Sequence, residues 1–128
     1  IGKDPDSFYN SCLQGWGATT KSSFSKNQII EYRNSWRNED CMRAMCDDYR
    51  AAYHIDQYDE ANDSQSPIKV RFAAVWGKDG IMAKTFDMKK IWKSEGKFYS
   101  GIEMPGGHFF VDQFPLETFR VIDNFIKA

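Results

Sequence analysis

The chain has 128 residues, a net charge of −1, 41% hydrophobic and 16% aromatic residues, the proportions of one globular unit with an apolar core. Near-neutral charge gives no reason to expect nucleic acid or another polyanion as a partner, and no apolar run reaches the length of a membrane span or opens the chain as a signal peptide. The three cysteines, Cys12, Cys41 and Cys46, are an odd number without a CxxC pair or a His/Cys metal spacing, which reads as reduced, mostly packed thiols in a cytoplasmic protein.

Asp4-Pro5-Asp6 predicts a helix start, with Asp4 as N-cap and Pro5 at the first helical position. That helix carries Phe8, Tyr9, Cys12 and Leu13 on one side and ends near residues 15–17. After a polar linker over 18–25, Ser25 caps a second helix with Ile29, Ile30, Tyr32, Arg33 and Trp36. Asn38-Glu39-Asp40 is a short break. A third helix over about 41–53 places Met42, Met45, Cys46, Tyr49 and Ala52 at helical spacing. The composition then turns to Asp, Glu, Asn, Ser and Gln over 56–66, a surface linker ended by Pro67.

Residues 68–76 read as a strand buried on both faces and stopped by Gly77. A helix over 86–93, a strand over 97–103 and a helix over 115–128 follow, the last with Phe119, Ile122, Phe125 and Ile126 on its apolar side. The last half is thus β-α-β-α, two neighbouring parallel strands with a right-handed crossover. Parallel sheets are stable when several strands are covered on both faces, and two strands with three preceding helices do not complete such a core. The expectation is the C-terminal part of a larger α/β protein; the chain starts at Ile1, consistent with a missing upstream segment. The alternative is a small α+β domain with strands that the pattern conceals.

Between the second strand and the last helix lies Met104-Pro105-Gly106-Gly107-His108-Phe109-Phe110. A histidine on a glycine-rich loop at a sheet edge can reach substrate or water, and imidazole suits general-base work. From spacing alone, a solvated loop histidine is the commoner outcome. His54, beside the polar linker, reads as a surface group. Asp47 and Asp48 are adjacent on a helix, so they point apart and do not form a paired-carboxylate site.

Four segments together resemble the haloacetate (fluoroacetate) dehalogenases of the α/β-hydrolase superfamily. Asp4-Pro5-Asp6-Ser7-Phe8-Tyr9 resembles the opening of the family's cap helix, and Cys46-Asp47-Asp48-Tyr49-Arg50-Ala51 its Cys-Glu-Asp-Tyr-Arg-Ala motif. Ala74-Val75-Trp76-Gly77 with Phe86-Asp87 and Ile91-Trp92 resembles its late strand and helix, and Gly106-Gly107-His108-Phe109 its catalytic-histidine turn. The resemblance spans nearly the whole chain in order. It implies a helical cap segment over 1–57, a linker over 58–66 and the C-terminal part of the α/β-hydrolase core over 67–128.

It further implies that His108 is the base that activates water against an Asp-ester intermediate, and that Tyr49 donates to the departing halide. Trp16 resembles the cap tryptophan bordering the substrate pocket, across a one-residue gap in the comparison; a packing tryptophan is an equal reading. Tyr49 by periodicity alone is a core-stripe aromatic, and the Tyr32-Arg33 pair reads as structural. Asp79, after Trp76-Gly77, offers a triad acid but sits one residue early for the usual spacing, and the family commonly places its acid elsewhere; a turn aspartate beside Gly80 is the rival.

The chain contains no Gly-x-Asp-x-Gly or Gly-x-Ser-x-Gly elbow, so the nucleophile lies outside it. The partners implied are a small haloacid substrate, the N-terminal half of the hydrolase core and a second copy in a homodimer. An epoxide hydrolase keeps the same fold and ester cycle, a serine esterase keeps the fold with another nucleophile, and a non-catalytic fragment docking through its sheet edge is the rival of another class.

Overall fold

A computed structural model describes residues 2–16, 23–63, 66–97 and 99–128. Two compact units emerge. The first combines Ile1–Tyr9 with Ser25–Pro67, the second Asn10–Phe24 with Ile68–Ala128. The division falls inside the first helix, α1 (Pro5–Gly15).

The helix boundaries of the first unit follow local hydrogen-bond chemistry. The Asp4 carboxylate accepts from Ser7 N–H at 3.0 Å, capping α1. α2 (Lys26–Arg37) opens with a complete capping box, in which Ser25 Oγ accepts from Gln28 N–H and Gln28 Oε1 accepts from Ser25 N–H. Asn38 ends α2 and caps α3 (Glu39–Ala51), its side chain accepting from Asp40 and Cys41 N–H at 3.0 Å. Most of the linker expected over 18–25 lies outside the described residues.

Two expectations for this unit change. The helix does not stop near residue 53: a π-helical turn (Ala52–Asp56) continues into α4 (Gln57–Asp63), so much of the stretch expected as linker is helical. Tyr58 stays exposed there, and a polar helix of this kind carries no apolar stripe for periodicity to detect. The stripe of α3 also fades along its length. Met42, Met45 and Cys46 are half-buried, whereas Tyr49 is 68% exposed and so is not a core aromatic in this chain.

Trp36 is the buried centre of the first unit, stacked on Tyr9 with ring centroids 5.2 Å apart. Its Nε1–H donates to Asp6 Oδ1 at 2.8 Å, and the same carboxylate pairs with Arg37 and, at 3.6 Å, with Arg33. The Arg37 hydrogen bond, then the Trp36 N–H, hold the Asp6 carboxyl down at about 2. A carboxyl whose folded pKa lies below its ordinary 3.8 contributes stability that is whole above pH 3.8 and lost as pH falls through about 2. Asp6→Asn should therefore lower the thermal midpoint at pH 7, with the gap to wild type closing between pH 4 and pH 2. Helical circular dichroism at these pH values checks this; a gap independent of pH would remove the ion pair from the account.

The second unit holds a parallel pair, β1 (Phe72–Gly77) and β2 (Tyr99–Met104), in the register Phe72 to Tyr99 through Gly77 to Met104. This is the β-α-β arrangement the pattern predicts. The first strand is shorter than expected: Ile68 joins only through a bridge to Gly96, and Val70 is exposed. Between the strands lie α5 (Ile81–Thr85), too short for periodicity to reveal, and α6 (Met88–Ser94), capped by Asp87 accepting from Lys90 N–H. The chain ends with α7 (Phe110–Gln113) and α8 (Pro115–Lys127), the latter opened by proline at its first position.

Ala74, Trp76, Met104, Phe24, Cys12, Leu13 and Thr118 are buried side chains of this unit. Arg71 ties α8 to the entry of β1, with its guanidinium 4.6 Å over the Phe125 ring and a hydrogen bond to the Phe125 carbonyl. Leu116, Phe119, Ile122 and Ile126 nevertheless remain exposed along α8, so much of its apolar face is uncovered in this chain. Among the described residues no helix is long and apolar enough to cross a membrane.

Candidate functional site

Because β1 and β2 run parallel in register, their carboxyl ends, Gly77 and Met104, lie side by side. The segments that leave them therefore meet at one edge of the sheet, the place where open parallel sheets assemble their sites. Residues 78–80 follow β1 and residues 105–109 follow β2, so the Gly-Gly-His loop sits at that edge.

The approach of the two segments is close. Lys78 N–H donates to the Met104 carbonyl and Asp79 N–H to the Gly106 carbonyl, both at 2.9 Å. A Cβ on Gly77 would stand 2.7 Å from the Gly106 oxygen and nearer still to the Gly107 oxygen, so only glycine lets the strand end pass under the loop. Gly106 itself has φ +93°, the left-handed region, with the Phe114 ring and the Gln113 side chain filling the space a Cβ would need.

His108 is exposed at the tip of this loop. Its N–H donates to the Trp16 carbonyl at 3.2 Å, and its ring stands edge-on to the Trp16 indole, centroids 5.6 Å apart. Phe109 packs edge-on against His108 on one side and against the buried Phe24 on the other. Thus two of the sequence-predicted site residues, His108 and Trp16, are neighbours within one unit. Trp16 is 42% exposed beside the histidine.

Tyr49 lies in the other unit, on α3, exposed. Asp79 reaches the loop through its main chain; among the described residues no hydrogen bond joins its carboxylate to the His108 ring. His54 is exposed beside Tyr53, and Asp47 is engaged by Arg50 on the surface of α3. Among the described residues no group of three His, Cys, Asp or Glu side chains could hold a metal ion. Burial pushes the Cys12 thiol above its usual range, so Cys12 is less readily ionised than an ordinary thiol.

An open groove of about 490 Å³ is lined by Arg71, Tyr99, Ile102, Val121 and Phe125 among others, none of them from the histidine loop. The Tyr99 hydroxyl is buried without a hydrogen-bond partner among the described residues, and burial, then the Asp87 carboxylate, raise its pKa.

Two residues that shape the loop carry no motif. Gly77 reads in sequence only as the end of an apolar run. Gln113 donates no pattern at all, yet its Oε1 accepts from Gly107 N–H at 2.9 Å.

Comparison with known proteins places these features in context. No family model matches the chain. It is 38% identical over 127 residues to a fluoroacetate dehalogenase of Burkholderia sp, covering 99% of this chain and 42% of that protein. In three dimensions it matches ALR0039 of Nostoc sp PCC 7120, provisionally classed as an alpha/beta hydrolase, with TM-score 0.91 and 32% identity over 98% of this chain and 43% of that one. It also matches a Salmonella enterica protein provisionally classed as an acyltransferase, with TM-score 0.90 and 26% identity over 99% of this chain and 42% of the other. The chain spans less than half the length of these relatives.

Proposed function

We propose, for a chain that belongs to the α/β-hydrolase superfamily and forms a C-terminal portion of that fold, that the complete protein removes halide from a small 2-haloacid such as fluoroacetate or chloroacetate. The observation that carries the reading is the 38% identity over 127 residues to the Burkholderia dehalogenase, a span that takes in His108 and Tyr49. Residues 1–57 would form cap helices, 58–66 their linker and 67–128 the end of the core. The nucleophile, an aspartate, would come from the N-terminal half of the core, and a homodimer is the assembly that the resemblance implies.

In this reading the aspartate displaces halide from carbon, breaking the carbon–halogen bond and forming an ester. His108 takes a proton from water, and the resulting hydroxide attacks the ester carbonyl to release the hydroxyacid and regenerate the aspartate. His108 suits this step because it is exposed on a loop whose backbone is held from several sides. Trp16 supplies an apolar wall beside it. Tyr49 offers a phenol on the halide as charge develops there; its exposure in this chain leaves the hydroxyl open to such a role. The cycle asks for no metal or organic cofactor.

Halide release by the complete protein from fluoroacetate and chloroacetate tests the reading, and absence of release from both overturns it. Tyr49→Phe should cut fluoroacetate turnover about a hundredfold and chloroacetate turnover no more than about tenfold, because fluoride is the poorer leaving group and depends more on the donor. Equal losses would make Tyr49 a packing residue. The Salmonella neighbour favours a second reading, acyl transfer. The residue at the centre of the nucleophile turn separates the two: Asp for the haloacid, Ser for acyl transfer.

A further inference from the structure

The geometry points to Gln113 as a positioning residue for His108, a role that rests on the proposed reading of His108 as the base. The peptide joining Gly106 to Gly107 is gripped at both poles. Its carbonyl accepts Asp79 N–H at 2.9 Å, and its N–H donates to Gln113 Oε1, also at 2.9 Å. Such a peptide cannot rotate without breaking both bonds. The next peptide is held too: the Gly107 carbonyl accepts Phe110 N–H at 3.2 Å, and His108 N–H donates to the Trp16 carbonyl at 3.2 Å.

These bonds differ in kind. Those from Asp79, Phe110 and Trp16 are main chain to main chain and survive a change of side chain. The bond to Gly107 N–H is made by a side chain and can be removed by one substitution.

Its removal matters because of where it acts. Gly106 and Gly107 have no Cβ to restrict them, so rotation of their shared peptide is the low-cost motion available to the loop. Gly107 is buried, and a buried N–H left without an acceptor is costly, which favours turning the peptide toward another acceptor. His108 is the next residue, so the turn changes the direction of its Cα–Cβ bond. Gln113 is well placed to prevent this: it ends α7, its own N–H donating to the Phe109 carbonyl at 3.0 Å, and its side chain folds back over Gly106. The amide reads the loop from the helix that the loop itself starts.

The test compares Gln113→Ala and Gln113→Glu in the complete protein, the second variant keeping an acceptor oxygen at the same reach. Gln113→Ala should speed hydrogen exchange of the Gly107 amide at least about tenfold while Lys78, bonded to Met104, is unaffected. With haloacetate it should lower kcat about tenfold with little change in KM, and Gln113→Glu should restore most of kcat. Unchanged exchange at Gly107 would overturn the clamp, and faster exchange with unchanged kcat would overturn the positioning role. If wild-type protein releases no halide, the proposed function fails by itself. The clamp is then judged on the His108 ring signals in nuclear magnetic resonance, which should be single in wild type and Gln113→Glu and doubled or broadened in Gln113→Ala. A single unchanged set in the alanine variant overturns it. Should Gln113→Ala not fold, Gln113→Met fills the space without an oxygen acceptor and is read in the same way.

Discussion

On the proposed dehalogenase reading, His108→Ala in the complete protein should form the enzyme ester from chloroacetate or fluoroacetate but fail to hydrolyse it. The halide displacement needs only the nucleophile and donors to the leaving group, so one equivalent of halide appears. Water then meets an ester with no base beside it, and steady turnover falls about a thousandfold, the scale of a lost general base. Mass spectrometry should find the ester accumulated on the peptide that carries the nucleophile. Unchanged halide turnover in His108→Ala would refute the assignment outright, since nothing else on this loop can take the proton.

The second large effect is structural and independent of the chemistry. Gly77→Ala should destabilise the protein by about 3 kcal/mol or displace the histidine loop, because the new methyl would meet two main-chain carbonyl oxygens that no rotamer change can move. Displacement of the loop would break the Lys78–Met104 and Asp79–Gly106 bonds that join the carboxyl ends of the two strands. Urea unfolding gives the reading: a lower midpoint at constant m-value is lost stability. Gly15→Ala is the control, because a Cβ at that end of α1 meets nothing within 4 Å and alanine favours helix, so its midpoint should be unchanged or slightly higher. A Gly77→Ala midpoint equal to that control would mean the loop yields freely and does not fix His108.

Some of this was written in local sequence. Caps at Asp4, Ser25 with Gln28, and Asn38 act over three residues or fewer, so short-range side-chain chemistry determined where helices begin. The β-α-β order, with its parallel pairing, followed from two apolar runs separated by a helical one, since a crossover of that length admits little else. The Gly-Gly-His turn after a strand was visible for the same reason, and so was the insufficiency of two strands as a core.

Only the tertiary structure decided the rest. That Asp6 gathers Trp36 and Arg37 depends on packing between helices, which no periodicity encodes. α4 is polar and carries no stripe, so its composition alone resembled a linker. Tyr49 fits the α3 spacing yet stands exposed, because burial depends on what faces a helix and not on its own repeat. The site itself is of this kind. His108 is a motif residue, but Gly77 and Gln113, which hold its loop, act by close approach and by a bond between a side chain and a distant peptide. Such contacts have no spacing rule; they exist only once the strand ends are brought together.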